Sequence, residues 1–120
     1  MLKKTDATLE KKVKMTQEII DQYGRINGDN DTIHYDEELA KSRGFRGTLA
    51  HGLNVMGYAA GLAAQKYGER WYTEGELYTK WIAPVCPGDD LVVTLADDGD
   101  LQGAVAQGPT MVGHAKLAGR

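Results

Sequence analysis

The chain has 120 residues, a length that predicts one domain over residues 1–120 with a core large enough to fold alone. Fourteen Lys and Arg residues against seventeen Asp and Glu residues give a net charge of −3, which argues against nucleic acid as the main partner because such binding requires a basic face. The composition, 42% apolar and 26% charged, is that of a globular protein rather than a disordered one.

The cysteine content and the hydropathy of the chain predict its compartment. Cys86 is the only cysteine, so no intrachain disulfide can form and a reducing compartment is expected. The amino terminus lacks the apolar run of a signal peptide, and no stretch is apolar for long enough to span a bilayer. We therefore expect a soluble cytoplasmic domain that has no membrane partner.

The first half of the chain predicts one strand and two helices. Residues 8–16 alternate in polarity like a strand, and Thr16 can cap a helix that Gly28 ends. Asp36 can cap a second, short helix that runs through about Ser42. The first helix is expected to have one apolar face, formed by Ile19, Ile20, Tyr23 and Ile26.

The second half predicts a buried helix followed by consecutive strands. The segment from Ala50 to Tyr67 contains no acidic residue, so we expect a helix that is buried around most of its circumference, with Gly57 and Gly61 allowing close approach to strands. This order predicts the α+β class, with one antiparallel sheet around a central helix. The predicted strands are residues 76–82, 90–96, 101–107 and 110–118.

The densest group of polar residues lies between the two predicted helices of the first half. Asp29 and His34 stand five residues apart there and can share a water molecule for acid–base chemistry. A helix C-cap followed by an Asx turn explains the same residue types, and on these alone it is the better interpretation. We expect no metal site, although Asp31 adds a third possible ligand, because the spacing fails the calcium-loop pattern and zinc requires a denser set of His or Cys ligands.

A second candidate is Ala50-His51-Gly52, directly before the buried helix. The N–H of Gly52 has no intrahelical acceptor at a helix start and could polarise a substrate carbonyl. Alternatively, Gly52 permits a tight entry into the helix, with His51 packed nearby. We expect His51 to support the site rather than transfer protons.

These segments resemble a known family. Residues Tyr23 to Asp36 are similar to the hydratase motif of R-specific enoyl-CoA hydratases and MaoC-like dehydratases, roughly S-G-D-x-N-P-[IL]-H-x-D. Ala40, Phe45 and the A-H-G at residues 50–52 follow in the family's order. The segment Trp81-Ile-Ala-Pro-Val-Cys-Pro-Gly-Asp89 looks like the family's F-x-x-P-V-x-P-G-D turn.

The resemblance implies a hot-dog fold, which is an antiparallel sheet wrapped around a central helix, and a homodimer. It implies a catalytic pair at Asp29 and His34 and an oxyanion-binding N–H at Gly52, with no cofactor. The implied reaction is reversible addition of water to a trans-2-enoyl thioester of CoA or acyl carrier protein, giving the (R)-3-hydroxyacyl thioester.

One departure from the motif concerns the loop itself, where Asp31-Thr32 replaces the family's Asn–Pro. Loss of proline frees the backbone of the loop, and Asp31 adds a negative charge near Asp29. We expect Asp31 either to have recruited a hydrogen-bond donor or to shift the titration of the Asp29–His34 pair.

Two other functions remain open. A hot-dog acyl-CoA thioesterase would resemble its relatives in placing an acid on or near the central helix, and the segment 52–67 has none. A non-catalytic acyl-thioester-binding subunit is the other alternative, which the replacement at Asp31 makes plausible.

Overall fold

The computed structural model describes residues 8–29 and 31–119. Within these ranges one sheet and one long helix form most of the molecule, joined by shorter helices. In chain order the elements are β1 (Leu9–Lys14), α1 (Gln17–Asn27), a 3-10 turn (Thr32–His34), α2 (Glu37–Ser42), α3 (Gly52–Tyr67), α4 (Arg70–Glu74), β2 (Gly75–Trp81), β3 (Asp90–Leu95), β4 (Asp100–Val105) and β5 (Gly108–Leu117).

The sheet is antiparallel throughout, with the strand order β1-β3-β4-β5-β2. Its register pairs Val13 with Leu91 at one side and Leu77 with Ala115 at the other. Helix α3 lies against β1, β2 and β3, and the core consists of side chains that both layers bury. These include Val55, Ala59, Leu62, Ala63, Leu91, Val93, Leu95, Leu101 and Met111. The predicted α+β class and hot-dog arrangement are confirmed.

Local capping signals place the helices of the first half as predicted. The Thr16 hydroxyl accepts a hydrogen bond from the N–H of Ile19, and Gly28 ends α1 with a φ of 82° that favours glycine. The Asp36 carboxylate accepts a hydrogen bond from the N–H of Leu39 in the same way at α2. Each cap satisfies an N–H that has no intrahelical acceptor, so these boundaries follow from local sequence.

Two predictions about the limits of elements are wrong, and one short helix was not predicted. Ile26 is 86% exposed, so the buried face of α1 does not extend to its last turn. The turn between β4 and β5 falls at residues 106–107, and Gly108 and Pro109 already belong to β5. The short helix α4 has no counterpart in the prediction; the guanidinium of Arg70 contacts the carboxylate of Glu74 along it.

Helix α3 is buried on one side only, contrary to the prediction. Leu53, Gly57 and Gly61 form an exposed stripe on it, and a Cβ built at either glycine would meet no described atom within 4 Å. These glycines therefore do not bring the helix close to strands. Close approach occurs instead at Gly52, where a Cβ would stand 2.8 Å from Cε2 of Trp81. No helix in the described ranges has both the length and the apolar character needed to cross a membrane.

An ion pair between the buried Asp89 and the partly exposed Arg46 holds the turn that precedes β3. Arg46 donates from its two terminal nitrogens to both carboxylate oxygens of Asp89, at 3.0 and 2.9 Å. The same carboxylate accepts a hydrogen bond from the N–H of Cys86, whose side chain is 2% exposed. Burial alone would raise the pKa of Asp89, but the hydrogen bonds and charge of Arg46 and the N–H of Cys86 outweigh it and lower the pKa.

Candidate active site

The end of α1 and the turn after it place Asp29. One oxygen of its carboxylate accepts a hydrogen bond from the N–H of Asp31 at 2.9 Å, and Asp31 in turn accepts from the N–H of Ile33 at 3.1 Å. Asp31 thereby caps the 3-10 turn that carries His34. The Asx-turn interpretation is thus confirmed, and it brings Asp29 and His34 together rather than competing with a site. The expectation that Asp31 has recruited a donor is confirmed too.

The orientation of His34 follows from one backbone hydrogen bond. Its Nδ1 lies 2.8 Å from the carbonyl oxygen of Leu49, and because a carbonyl only accepts, Nδ1 carries a proton. Its Nε2 faces Oδ2 of Asp29 at 3.5 Å. The His34 side chain is 12% exposed and that of Asp29 39%, so a water molecule can reach both groups from solvent.

Asp29 is held in its ionised form. The N–H of Asp31 lowers its pKa most; partial burial opposes this, and His34 and His51 lower the pKa further. The carboxylate is therefore an acceptor across the neutral pH range.

His51 supports the pair from beneath. Its ring stacks on that of His34 with 3.8 Å between centroids and an angle of 19° between planes. Burial lowers the pKa of His51, and the neighbouring His34 lowers it further although Asp29 opposes both, so the ring is neutral at pH 7. A neutral, 3% exposed ring packed beneath His34 has the geometry expected of a support.

The same stacking disfavours a metal ion. Ligand atoms of Asp29, His34 and His51 all lie within 4.8 Å of one another. A transition metal bound to a histidine nitrogen lies about 2 Å away in the plane of the ring. Since the two rings are nearly parallel and 3.8 Å apart, one ion cannot lie close to both planes. The three groups are better arranged to share water and protons.

An apolar cavity of about 390 Å³ adjoins His34, whereas Asp29 lines a separate depression together with Tyr35. His34 and Gly52 both line it, and Gly52 is the first residue of α3, where a backbone N–H has no intrahelical acceptor. A larger residue here would require the indole of Trp81 to shift. The other lining residues are mostly apolar and include Phe45, Leu49, Val55, Trp81, Ile82 and Val85.

Comparison with known proteins identifies the family. The model of the MaoC-like domain matches residues 2–116. The chain belongs to the MaoC-like domain family. It is 32% identical over 95 residues to the peroxisomal hydratase-dehydrogenase-epimerase of Neurospora crassa, a match that covers 79% of this chain and 10% of that protein. The family predicted from the motif is therefore confirmed, although the chain spans only about a tenth of the length of that relative.

Solved structures support the hot-dog fold of this MaoC-like chain. The (R)-hydratase from A. caviae involved in PHA biosynthesis matches with a TM-score of 0.73 and 16% identity, over 92% of this chain and 93% of that one. A chain of the ChsH1-ChsH2 complex from Mycobacterium tuberculosis matches with a TM-score of 0.76 and 17% identity, over 95% of this chain and 96% of that one.

One residue near the site has no role in the sequence analysis. Tyr35 follows His34 directly, and its hydroxyl oxygen lies 2.6 Å from the carbonyl oxygen of Asp29 and 3.3 Å from Nε2 of His51. The sequence signal that could have indicated it is Gly24, a glycine in the interior of α1, which is explained only once the tyrosine is placed against it.

Asp31→Asn tests the charge next to the candidate pair. An asparagine retains an oxygen that can accept from the N–H of Ile33, so the turn is kept and one negative charge is lost. Removing that charge should make Asp29 easier to ionise, so the pH–rate profile should move to lower pH. Because Asp31 is exposed, we expect a shift of less than about one pH unit. A shift to higher pH, or none at low salt, would contradict this coupling.

Proposed function

We propose that this chain catalyses the reversible addition of water to a trans-2-enoyl thioester, giving an (R)-3-hydroxyacyl thioester. The observation that carries the proposal is the pairing of Asp29 Oδ2 and His34 Nε2, 3.5 Å apart, with His34 at the wall of an apolar cavity that Gly52 also lines. Family membership supports a hydratase-type enzyme, and the acyl thioester of CoA or acyl carrier protein is the proposed substrate.

The pair would act on one shared water molecule. The Asp29 carboxylate and His34 Nε2 hold the water, and one of the two takes its proton as the oxygen bonds to C3 of the enoyl group. The pair then returns a proton to C2, so one water is added and the protein ends as it began. This reaction transfers no electrons and requires no cofactor.

Gly52 would stabilise the charge that develops on the thioester oxygen. Addition at C3 shifts electrons towards this oxygen, and the N–H at the start of α3 can donate to it with the favourable end of the helix dipole behind it. The apolar cavity would hold the acyl group and exclude bulk water.

Incubation with crotonyl-CoA tests the proposal. We expect the enoyl absorbance to fall, with 3-hydroxybutyryl-CoA as the product and the R enantiomer on chiral chromatography. Release of free CoA would identify a thioesterase instead. No turnover of crotonyl-CoA, longer enoyl-CoAs or their acyl carrier protein thioesters would favour a binding subunit and would overturn the proposal.

We also propose a homodimer that pairs the outer edge of β2. This strand is bonded to β5 on one side only, and Tyr78, Trp81 and Ile82 at its end are each about half exposed. An exposed edge with apolar side chains is a surface that proteins usually cover. Light scattering at micromolar concentration should give a mass near twice 13.1 kDa, and a mass of one chain would contradict the proposal.

A further inference from the structure

We propose that Tyr35 is a positioning residue that joins the Asp29 loop to His51, and that Gly24 provides the space that its hydroxyl requires. The role as a positioning residue rests on the proposed hydratase function. The contacts themselves do not, so they can be tested without any substrate.

The first support is the direction of the hydrogen bonds at the Tyr35 hydroxyl. The carbonyl oxygen of Asp29 only accepts, so Tyr35 donates its single proton there, across 2.6 Å. The pKa of Tyr35 is raised, chiefly by partial burial and then by the charges of Asp29 and Asp21, so this proton is retained. The hydroxyl oxygen can then only accept from Nε2 of His51, 3.3 Å away.

This arrangement favours one tautomer of His51, and the Asp29 carboxylate, whose Oδ2 lies 3.9 Å from Nε2, favours the same one. Nε2 must carry the proton in order to donate to Tyr35, which leaves Nδ1 as a bare acceptor in a neutral ring. Among the described residues Nδ1 of His51 is buried with no hydrogen-bond partner. The opposite tautomer would bury an unpaired N–H at Nδ1 and set two lone pairs against each other at Nε2, so Tyr35 stabilises the Nε2–H form.

The second support is the glycine on the facing helix. Gly24 is buried inside α1, and a Cβ there would overlap the Tyr35 hydroxyl oxygen and stand 3.0 Å from Cζ. Its φ is not in the left-handed region, so its backbone does not require glycine. A glycine inside a helix is less stable than alanine, and the tyrosine explains why it is there.

The third support is the freedom of the loop that carries Asp29. No proline lies between Gly28 and His34, so hydrogen bonds have a larger part in holding the loop in position. The N–H of Asp31 holds the carboxylate and the Tyr35 hydroxyl holds the main chain of the same residue. Tyr35 thus connects the backbone of Asp29 to the ring that supports His34.

Tyr35→Phe is the direct test. We expect kcat for crotonyl-CoA hydration to fall about tenfold, the scale of one lost neutral hydrogen bond, with KM changed by less than about twofold. The ¹⁵N chemical shifts of His51 should show the Nε2–H form in the wild type and a smaller fraction of that form in the variant. Unchanged tautomer populations would overturn the proposal, whether or not the protein is a hydratase.

Gly24→Ala tests whether the Tyr35 hydroxyl requires the space beside Gly24. It should lower the melting temperature and the activity, whereas Gly24→Ala combined with Tyr35→Leu should keep the activity of Tyr35→Leu alone and melt no lower than it, because the overlap is gone and alanine is the better helix former. Gly61→Ala is the matched control, since it lies inside a helix with no described atom near its Cβ, and it should melt no lower than the wild type. Additive losses in the double variant would overturn the proposal.

Discussion

Replacing Asp29 with Asn, or His34 with Ala, is expected to lower kcat for enoyl-CoA hydration by about a hundredfold to ten-thousandfold, the range typical of a lost acid or base. Asparagine retains an acceptor for the N–H of Asp31, so the turn should persist while the negative charge is lost. Because both side chains would act on one water, the double variant should be little worse than either single variant. Steady-state kinetics and circular dichroism on the same samples separate activity from folding.

Two surface residues provide matched controls. Asp98 accepts a hydrogen bond from the N–H of Asp100, the same local contact that Asp29 makes, but it lies in the turn between β3 and β4. His114 is an exposed residue of β5. Asp98→Asn and His114→Ala should keep near-native turnover. Near-native turnover in Asp29→Asn or His34→Ala would contradict the assignment of the pair.

The second large effect is expected at the ion pair between Arg46 and the buried Asp89. Arg46→Met should lower the free energy of unfolding by about 3 kcal/mol, because it leaves the 9% exposed carboxylate of Asp89 without its charged partner. Arg70→Met removes a similar bidentate contact with Glu74 on the surface and should lower the free energy of unfolding by less than about 1 kcal/mol. Urea unfolding at pH 7 compares the two, and equal losses would contradict the importance of burial.

The loss of unfolding free energy in Arg46→Met should also depend on pH. The folded state lowers the pKa of Asp89, so the pair contributes its full stability above the pKa of an unfolded aspartate, about 4. This contribution is lost as pH falls through the lower, folded-state pKa. The difference in unfolding free energy between wild type and Arg46→Met should therefore be constant near neutrality and shrink below about pH 4. A difference that grows in acid would mean that Asp89 is not the linked group.

The features predicted correctly are those that short segments determine. Thr16, Gly28 and Asp36 place helix ends through hydrogen bonds or a backbone conformation within a few residues. Asp29 and His34 meet because an Asx turn and a 3-10 turn, both local, separate them. The strand limits were also predicted to within two residues, because polar and apolar residues alternate within each strand and turn residues separate the strands.

The features that the sequence analysis missed depend on contacts between distant segments. The face of α3 that carries Gly57 is open, although composition alone predicted burial, because the sheet covers only one side of the helix. The stacking of His34 on His51 requires the Leu49 carbonyl to orient one ring and the start of α3 to present the other. No role could be assigned to Tyr35 from the sequence, because the space beside Gly24 that its hydroxyl occupies forms only in the folded chain.

Because the thiol of Cys86 is buried, the rate of its alkylation reports how often the structure around it opens. Cys86 is 2% exposed, and burial raises the pKa of its thiol, so the folded protein offers almost no thiolate to an alkylating reagent. Alkylation then requires the turn held by Arg46 and Asp89 to open first. Its rate in native buffer measures how often this turn opens, including the hydrogen bonds that Gly88 and Asp89 make with Met15.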